Sequence, residues 1–234
     1  MSWTDFKAVE TFCKLRDEFN IKYYIETGTF RAQGARVMSS FFDEVFTCEI
    51  SLNYYIQAKK NIKDIPNIRV FLEDSPTFLK ILSRVFYDPA FYYLDAHFYD
   101  PNLPKEERFT VKKELEAIKP SKNCVIAIHD FDTRNGLGHL VYDGIPLDFE
   151  VVKEGLRKIN PDFVFYTNYK DACKIVTKED ITTGKLPHLQ LTLDMEDSLN
   201  FIWSDPFKTY RGILYCVPKE LDLTKYELHK VDWK

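Results

Sequence analysis

The chain has 234 residues, of which 45% are hydrophobic and 29% charged, and its formal net charge is −4. This size and composition predict one globular α/β domain spanning residues 1–234. Nucleic acid is a disfavoured partner because no block of Lys and Arg occurs, and no apolar stretch reaches the length of a membrane span. The N-terminus lacks a secretory signal pattern, so we expect a cytoplasmic protein with reduced cysteines.

Short apolar runs rich in β-forming residues alternate with helix-like stretches along most of the chain. An N-terminal helix is predicted over residues 4–19 and a core over 20–168. The alternation of strands and helices predicts a parallel sheet with helices on both faces. The core strands are KYYIET (22–27), EVFTCEI (44–50), NIRVFLED (67–74), AFYYLDA (90–96) and NCVIAIHDF (123–131).

Two further strands are predicted late in the chain, at 162–168 and 211–218. Between them, an insert at about 170–209 has no clear periodicity, and we interpret it as irregular structure that forms a lid or an interface. No repeat or linker divides the chain, which again indicates a single domain.

Polar residues stand at the end of every predicted core strand. The carboxyl ends of parallel strands meet at one edge of a sheet, which is where ligands bind in such folds. We therefore expect these residues to line one binding site. They are Glu26, Thr27 and Thr29, together with Gly28, at the end of the first strand, Glu49 at the end of the second, Asp74 and Ser75 at the third, Asp95 and His97 at the fourth, and His129 and Asp130 at the fifth.

The first two strand ends indicate the kind of ligand. Gly28 lets the chain bend and approach a ligand closely, and the helix that follows offers N–H groups to a negatively charged group. Glu49 stands about twenty residues later, where a carboxylate can accept hydrogen bonds from both hydroxyls of a ribose. Residues 28–33 lack the pattern G-x-G-x-x-G, and Phe30 obstructs a second phosphate. A single nucleoside is therefore favoured over a dinucleotide.

The motifs YIETGTFRAQGA, FTCEIS, VFLEDSP and FYYLDAHF, over about residues 20–131, resemble those of class I S-adenosylmethionine-dependent methyltransferases. The resemblance implies a Rossmann-like, mostly parallel sheet of seven strands with the last strand antiparallel. It implies S-adenosylmethionine as the cofactor, with its methionine end near Glu26 and Gly28. It also places the ribose at Glu49 and the adenine near Asp74 and Ser75. The full set of implied cofactor-binding residues is Glu26, Thr27, Gly28, Thr29, Glu49, Ile50, Asp74, Ser75 and Asp95.

Under this resemblance, Asp95 and His97 lie beside the transferable methyl group as the predicted catalytic residues. His97 is the candidate base, because a histidine of ordinary pKa, about 6.5, suits proton transfer at neutral pH. A divalent metal, Mg²⁺ or Mn²⁺, is a second hypothesis, with Asp95, His129 and Asp130 as ligands. This arrangement resembles the metal-dependent O-methyltransferases of the macrocin and catechol types. The expected acceptor is a small molecule or a sugar hydroxyl.

Several alternatives stay open at this stage. DAHFYD resembles the metal motif of arginase-type hydrolases, although the other segments that such enzymes need are absent. A catalytically silent module would bind the cofactor without turnover. The sequence also leaves open a homo-oligomer, and we interpret Glu114 as facing solvent or capping the site from the helix after the fourth strand.

Overall fold

The structure is a computed structural model, which describes residues 6–85, 89–97, 102–105, 108–168 and 211–233. The predicted insert at about 170–209 and the predicted start of the first helix at residue 4 lie outside the described residues. Among the residues described, no helix is both long and apolar enough to cross a membrane. The described cysteines, Cys13, Cys48, Cys124 and Cys216, are free thiols.

The strands of the described chain follow the predicted positions closely. Most of them join one large sheet, and a short hairpin lies apart from it. The strands are β1 (Tyr23–Thr27), β2 (Glu44–Glu49), β3 (Ile68–Leu72), β4 (Ala90–Leu94), β5 (Val125–His129), β6 (Val141–Tyr142), β7 (Ile145–Pro146), β8 (Val164–Thr167), β9 (Ile213–Val217) and β10 (His229–Val231).

The large sheet has the strand order β10-β8-β9-β5-β4-β1-β2-β3 in the described part of the chain. Strands β1 to β5 pair in parallel, whereas β9 pairs antiparallel with both β5 and β8, as expected for the strand predicted at 211–218. The expectation of seven strands was wrong, because β10 adds an eighth strand antiparallel to β8, with Lys230 opposite Tyr166. The mostly parallel α/β architecture is confirmed, and the division into a single domain stays a prediction.

Helices cover both faces of the sheet. They are α1 (Phe6–Glu18), α2 (Gln33–Met38), α3 (Leu52–Asn61), α4 (Ser75–Val85), α5 (Thr110–Ala117) and α6 (Phe149–Ile159). Side chains of adjacent strand residues point to opposite faces, so Tyr24 joins the core formed with α1, α2 and α3, and Ile25 joins the core formed with α4, α5 and α6. This double coverage explains why the central strands are almost continuously apolar.

Candidate active-site cleft

A cleft of about 420 Å³ opens where the carboxyl ends of β1, β2, β3 and β4 meet. Its lining combines residues from all four strand ends with residues that precede and begin α5. The structure therefore brings together most of the predicted ligand-binding residues. Those that line the cleft are Gly28, Glu49, Ile50, Asp74, Ser75, Asp95 and His97.

Three other predicted cofactor-binding residues, Glu26, Thr27 and Thr29, are buried and do not line the cleft. They support the residues that do. The Thr27 hydroxyl accepts a hydrogen bond from the backbone N–H of Asp95 at 3.1 Å, and Thr29 Oγ1 lies 2.7 Å from Thr47 Oγ1. A direct contact between these residues and a cofactor stays a prediction.

The Gly28 turn forms one wall of the cleft. The N–H groups of Gly28 and Thr29 both donate to the Cys48 carbonyl, at 3.1 and 2.9 Å, which bends the chain toward β2. Gly28 has a φ of +81°, and a Cβ at this position would lie 2.8 Å from the Asp95 carbonyl oxygen. A side chain would therefore clash with the end of β4, so the cleft depends on glycine here.

Glu49 ends β2 with its carboxylate held in one orientation. Oε2 accepts a hydrogen bond from the N–H of Phe30 at 2.8 Å, and Oε1 accepts one from the N–H of Ser51 at 2.9 Å. Each oxygen keeps lone-pair capacity for a further donor. Next to it, Ile50 exposes 60% of its surface, and the ring of Phe30 packs against that of Tyr54 at 4.5 Å. The cleft thus pairs a fixed acceptor with apolar surface.

Glu26 is a buried carboxyl group directly below the Gly28 turn. Burial raises its pKa from the ordinary 4.5 to about 8, the charge of Asp95 adds to the rise, and a hydrogen bond from Thr47 opposes it. A Cβ on Gly34 would lie 2.4 Å from Glu26 Oε1, so the carboxyl group packs directly on the backbone at the start of α2.

We expect Glu26→Gln to flatten the dependence of stability on pH. Folding favours the protonated form, so the contribution of Glu26 to stability is complete below pH 4.5 and is lost as the pH rises through about 8. The variant should match the wild type near pH 5 and melt at a higher temperature at pH 9. Circular dichroism melts at both pH values would measure this, with Glu44→Gln, at the far end of β2, as control. A melting-point difference that is independent of pH would contradict the prediction.

A cluster of four ionisable side chains lies where β4 and β5 end, at one side of the cleft. His97 Nε2 lies 2.7 Å from Asp130 Oδ2 and 3.3 Å from Asp95 Oδ1. His129 Nδ1 lies 2.8 Å from Asp95 Oδ1. One potential ligand atom from each of Asp95, His97, His129 and Asp130 falls within 4.8 Å of the others. The sequence predicted that Asp95, His129 and Asp130 converge, and the structure adds His97 to them; a metal at this cluster stays a prediction.

The protonation of His97 differs from what the sequence suggested. Burial alone would lower its pKa, but hydrogen bonds to Asp130 and Asp95 outweigh that effect and raise the pKa to about 10. Its imidazole therefore carries both protons at neutral pH and donates rather than accepts. The ordinary pKa on which its role as base was predicted does not hold in this cluster, and that role stays a prediction.

Arg211, a member of this cluster that the sequence did not predict, lies just before β9. Its Nε donates to Asp130 Oδ1. These two residues are 81 positions apart, and no motif connects them. One signal was available: β9 is antiparallel to β5, so its first residues lie at the same edge as the last residues of β5.

The sequence left two positions open for Glu114 on α5, facing solvent or capping the site, and the structure contradicts the first. Its side chain is fully buried rather than facing solvent. Burial raises its pKa to about 7, and the hydroxyls of Ser75 and Thr27 limit the rise. Since Ser75 lines the cleft and Thr27 binds the backbone of Asp95, Glu114 lies behind the site, where neither of its carboxylate oxygens has a hydrogen-bond partner among the described residues.

No model of a known protein family matches the sequence, and no curated protein matches it at a significant level. Solved structures with a similar fold include the plantazolicin methyltransferase BamL, in complex with a triazolic desmethylPZN analog and SAH, at 16% identity and a TM-score of 0.49, covering 91% of this chain and 84% of that one. A putative rRNA methylase from Clostridium thermocellum has 11% identity and a TM-score of 0.47, covering 95% and 97%. An O-methyltransferase from Bacillus cereus, in complex with SAH, has 16% identity and a TM-score of 0.43, covering 90% and 80%. Such values describe a loose similarity of fold and do not establish a family.

Proposed function

We propose that this chain is an S-adenosylmethionine-dependent methyltransferase that methylates a hydroxyl group of a small molecule or sugar. The observation that carries the proposal is the cleft itself. One space of about 420 Å³ is lined by the Gly28 turn, the anchored Glu49 carboxylate and Asp95. Cavities for ligands of this size typically measure about 300–1,000 Å³.

The lining of the cleft matches the parts of the cofactor in order. Glu49 accepts from the ribose hydroxyls, and the exposed side chain of Ile50 packs against the adenine. Asp74 and Ser75, at the start of α4, border the adenine on its other side. Gly28, which lines the cleft close to the end of β4, and Asp95 border the methionine end. The chain thus offers one suitable group to each part of a sulfonium nucleoside.

S-adenosylmethionine, when bound, would supply an activated methyl group, which an acceptor attacks in line with S-adenosylhomocysteine as the leaving group. The fixed carboxylate of Glu49 and the turn at Gly28 align that group with the acceptor, and alignment is a major source of rate. A hydroxyl acceptor must also lose its proton. His97 lies at the cleft, and we expect it to act as the base only after the acceptor displaces one of its carboxylate partners and the imidazolium has released a proton to solvent.

At the predicted metal site, protein side chains compete with a metal ion for the same carboxylate oxygens. The ligand atoms of Asp95, His97, His129 and Asp130 are close enough to surround one ion. However, both oxygens of Asp130 are engaged, Oδ1 by Arg211 and Oδ2 by His97. A role for Mg²⁺ or Mn²⁺ therefore stays a prediction, and no step of the transfer is assigned to a metal.

Calorimetric titration of the purified protein with S-adenosylmethionine and S-adenosylhomocysteine tests the proposal. We expect micromolar to submillimolar dissociation constants for both, the range in which enzymes typically bind their substrates, and no binding of NAD⁺. If neither nucleoside binds at millimolar concentration, the proposal fails.

Turnover needs a second assay with the labelled methyl donor, run against separate pools of sugars, phenols and RNA. Label transfer to a hydroxylated small molecule would support the enzyme. Cofactor binding without transfer to any pool would favour a silent binding module. RNA is included because one of the similar structures is named a putative rRNA methylase, so the expectation of no nucleic-acid partner is not supported. The arginase-like alternative, a homo-oligomer and a cytoplasmic location stay untested.

A further inference from the structure

We propose that Arg211 takes the place of a divalent cation in the cluster of Asp95, His97, His129 and Asp130. Its guanidinium group neutralises Asp130 and excludes Mg²⁺ and Mn²⁺ while it remains there. This inference deepens the proposed function, because it assigns the positive charge that orients the predicted reaction site. Its test involves no cofactor, so it can fail independently of the methyltransferase proposal.

The geometry around Asp130 carries the inference. Oδ1 accepts from Arg211 Nε, and Oδ2 lies 2.7 Å from His97 Nε2. The carboxylate is therefore held from two sides by nitrogen donors, and only 11% of its side chain is exposed. An incoming cation would need to bind the same oxygens that these donors occupy.

Arg211 is fixed in this position by its own surroundings. The amide of Asn168 donates to the Arg211 carbonyl at 3.0 Å and accepts from the N–H of Ile213 at 2.7 Å. The N–H of Gly212 donates to the Gly138 carbonyl at 2.9 Å. A Cβ on Gly138 would lie 2.8 Å from Arg211 Nη1, so the guanidinium packs directly on that backbone. The backbone and the packing surface of Arg211 are thus both constrained.

Electrostatics make the two occupants exclusive. Mg²⁺ requires carboxylate oxygens at about 2.0–2.1 Å, which would place it next to the guanidinium bound to Asp130. Arg keeps its proton at any pH at which the protein is folded, so repulsion between the two cations persists. A neutral residue at position 211 would remove that repulsion and free Asp130 Oδ1. The remaining cluster would then offer two carboxylates and the His129 imidazole, joined by that of His97 once metal binding releases its proton, all within 4.8 Å of one another.

The test is a titration with Mn²⁺ followed by electron paramagnetic resonance of the free ion, in the absence of cofactor. We expect the wild type to show no saturable binding at submillimolar Mn²⁺, and Arg211→Met to gain at least about tenfold in affinity, or about 1.4 kcal/mol. Arg211→Lys, which restores a cation, should behave as the wild type. Adding Asp130→Asn to Arg211→Met should abolish the gain.

Micromolar Mn²⁺ binding by the wild type that Asp130→Asn removes would overturn the inference and support the predicted metal site. An unchanged Mn²⁺ affinity in Arg211→Met would also overturn the inference. The absence of Mn²⁺ binding is tested on the wild-type protein itself and does not depend on the folding of a variant. If circular dichroism shows that Arg211→Met does not fold, Arg211→Gln replaces it.

Discussion

Gly28→Ala is expected to lower the free energy of unfolding by about 3 kcal/mol. A left-handed backbone costs a residue with a side chain about 1–2 kcal/mol, and overpacking a rigid contact costs about 1–3 kcal/mol more. Both penalties apply at Gly28, where φ is +81° and a Cβ would lie 2.8 Å from a backbone oxygen. Urea unfolding followed by circular dichroism would measure the loss, and the same variant should lose cofactor binding.

The chain supplies a matched control for this substitution. Gly144, in the turn between β6 and β7, also has a φ of +81°, but a Cβ there would meet no atom within 4 Å. Gly144→Ala should therefore cost only the backbone penalty, about 1 kcal/mol. The difference between the two variants isolates the close approach of the Gly28 turn to Asp95. Equal losses would show that this approach is not needed for the fold.

The sequence predicted the centre of every core strand, and the differences lie at the strand ends. The fourth strand, predicted over 90–96, ends at Leu94 as β4. The reason is that the N–H of Asp95 donates to the Thr27 hydroxyl instead of to a neighbouring strand. The residues at the strand ends leave the sheet and form the cleft. The polar residues that indicated a binding site in the sequence are therefore the same residues at which the strands end early.

β10 could not be predicted from local pattern. It consists of His229–Val231, has no alternation of apolar and polar residues, and exposes most of its surface. Its strand conformation follows from pairing with β8, a tertiary interaction that short-range periodicity does not encode. An edge strand of this kind becomes visible only once the neighbouring strand is in place.

The same limit applies to the site. We could predict that the residues after the parallel strands lie near one another, because the topology of a parallel sheet places the carboxyl ends of its strands at one edge. The properties of His97 and Glu114 depended instead on their neighbours. His97 has two carboxylate partners that raise its pKa to about 10, and Glu114, which was expected to face solvent or to cap the site, is fully buried. Sequence position predicts where a group lies more reliably than how it is charged.

Glu49→Ala is expected to weaken binding of S-adenosylhomocysteine about 100-fold. Hydrogen bonds to a charged acceptor contribute about 1.5–3 kcal/mol each, and losing both ribose contacts should cost about 3 kcal/mol, which corresponds to that change in Kd. Calorimetry would measure it. Glu44→Ala, at the opposite end of the same strand, is the control for removal of a carboxylate, and its Kd should equal that of the wild type.

One complication must be separated from this effect. Glu49 also accepts from the N–H groups of Phe30 and Ser51, so its loss frees two backbone donors and can disturb the loop. A ligand that lacks both ribose hydroxyls distinguishes the two causes, because a double cycle isolates the pair interaction. If Glu49 binds the ribose, the dideoxy ligand should bind the wild type about as weakly as the full ligand binds Glu49→Ala, and the substitution should barely affect it. A further 100-fold loss with the dideoxy ligand would instead show that Glu49 acts through the loop.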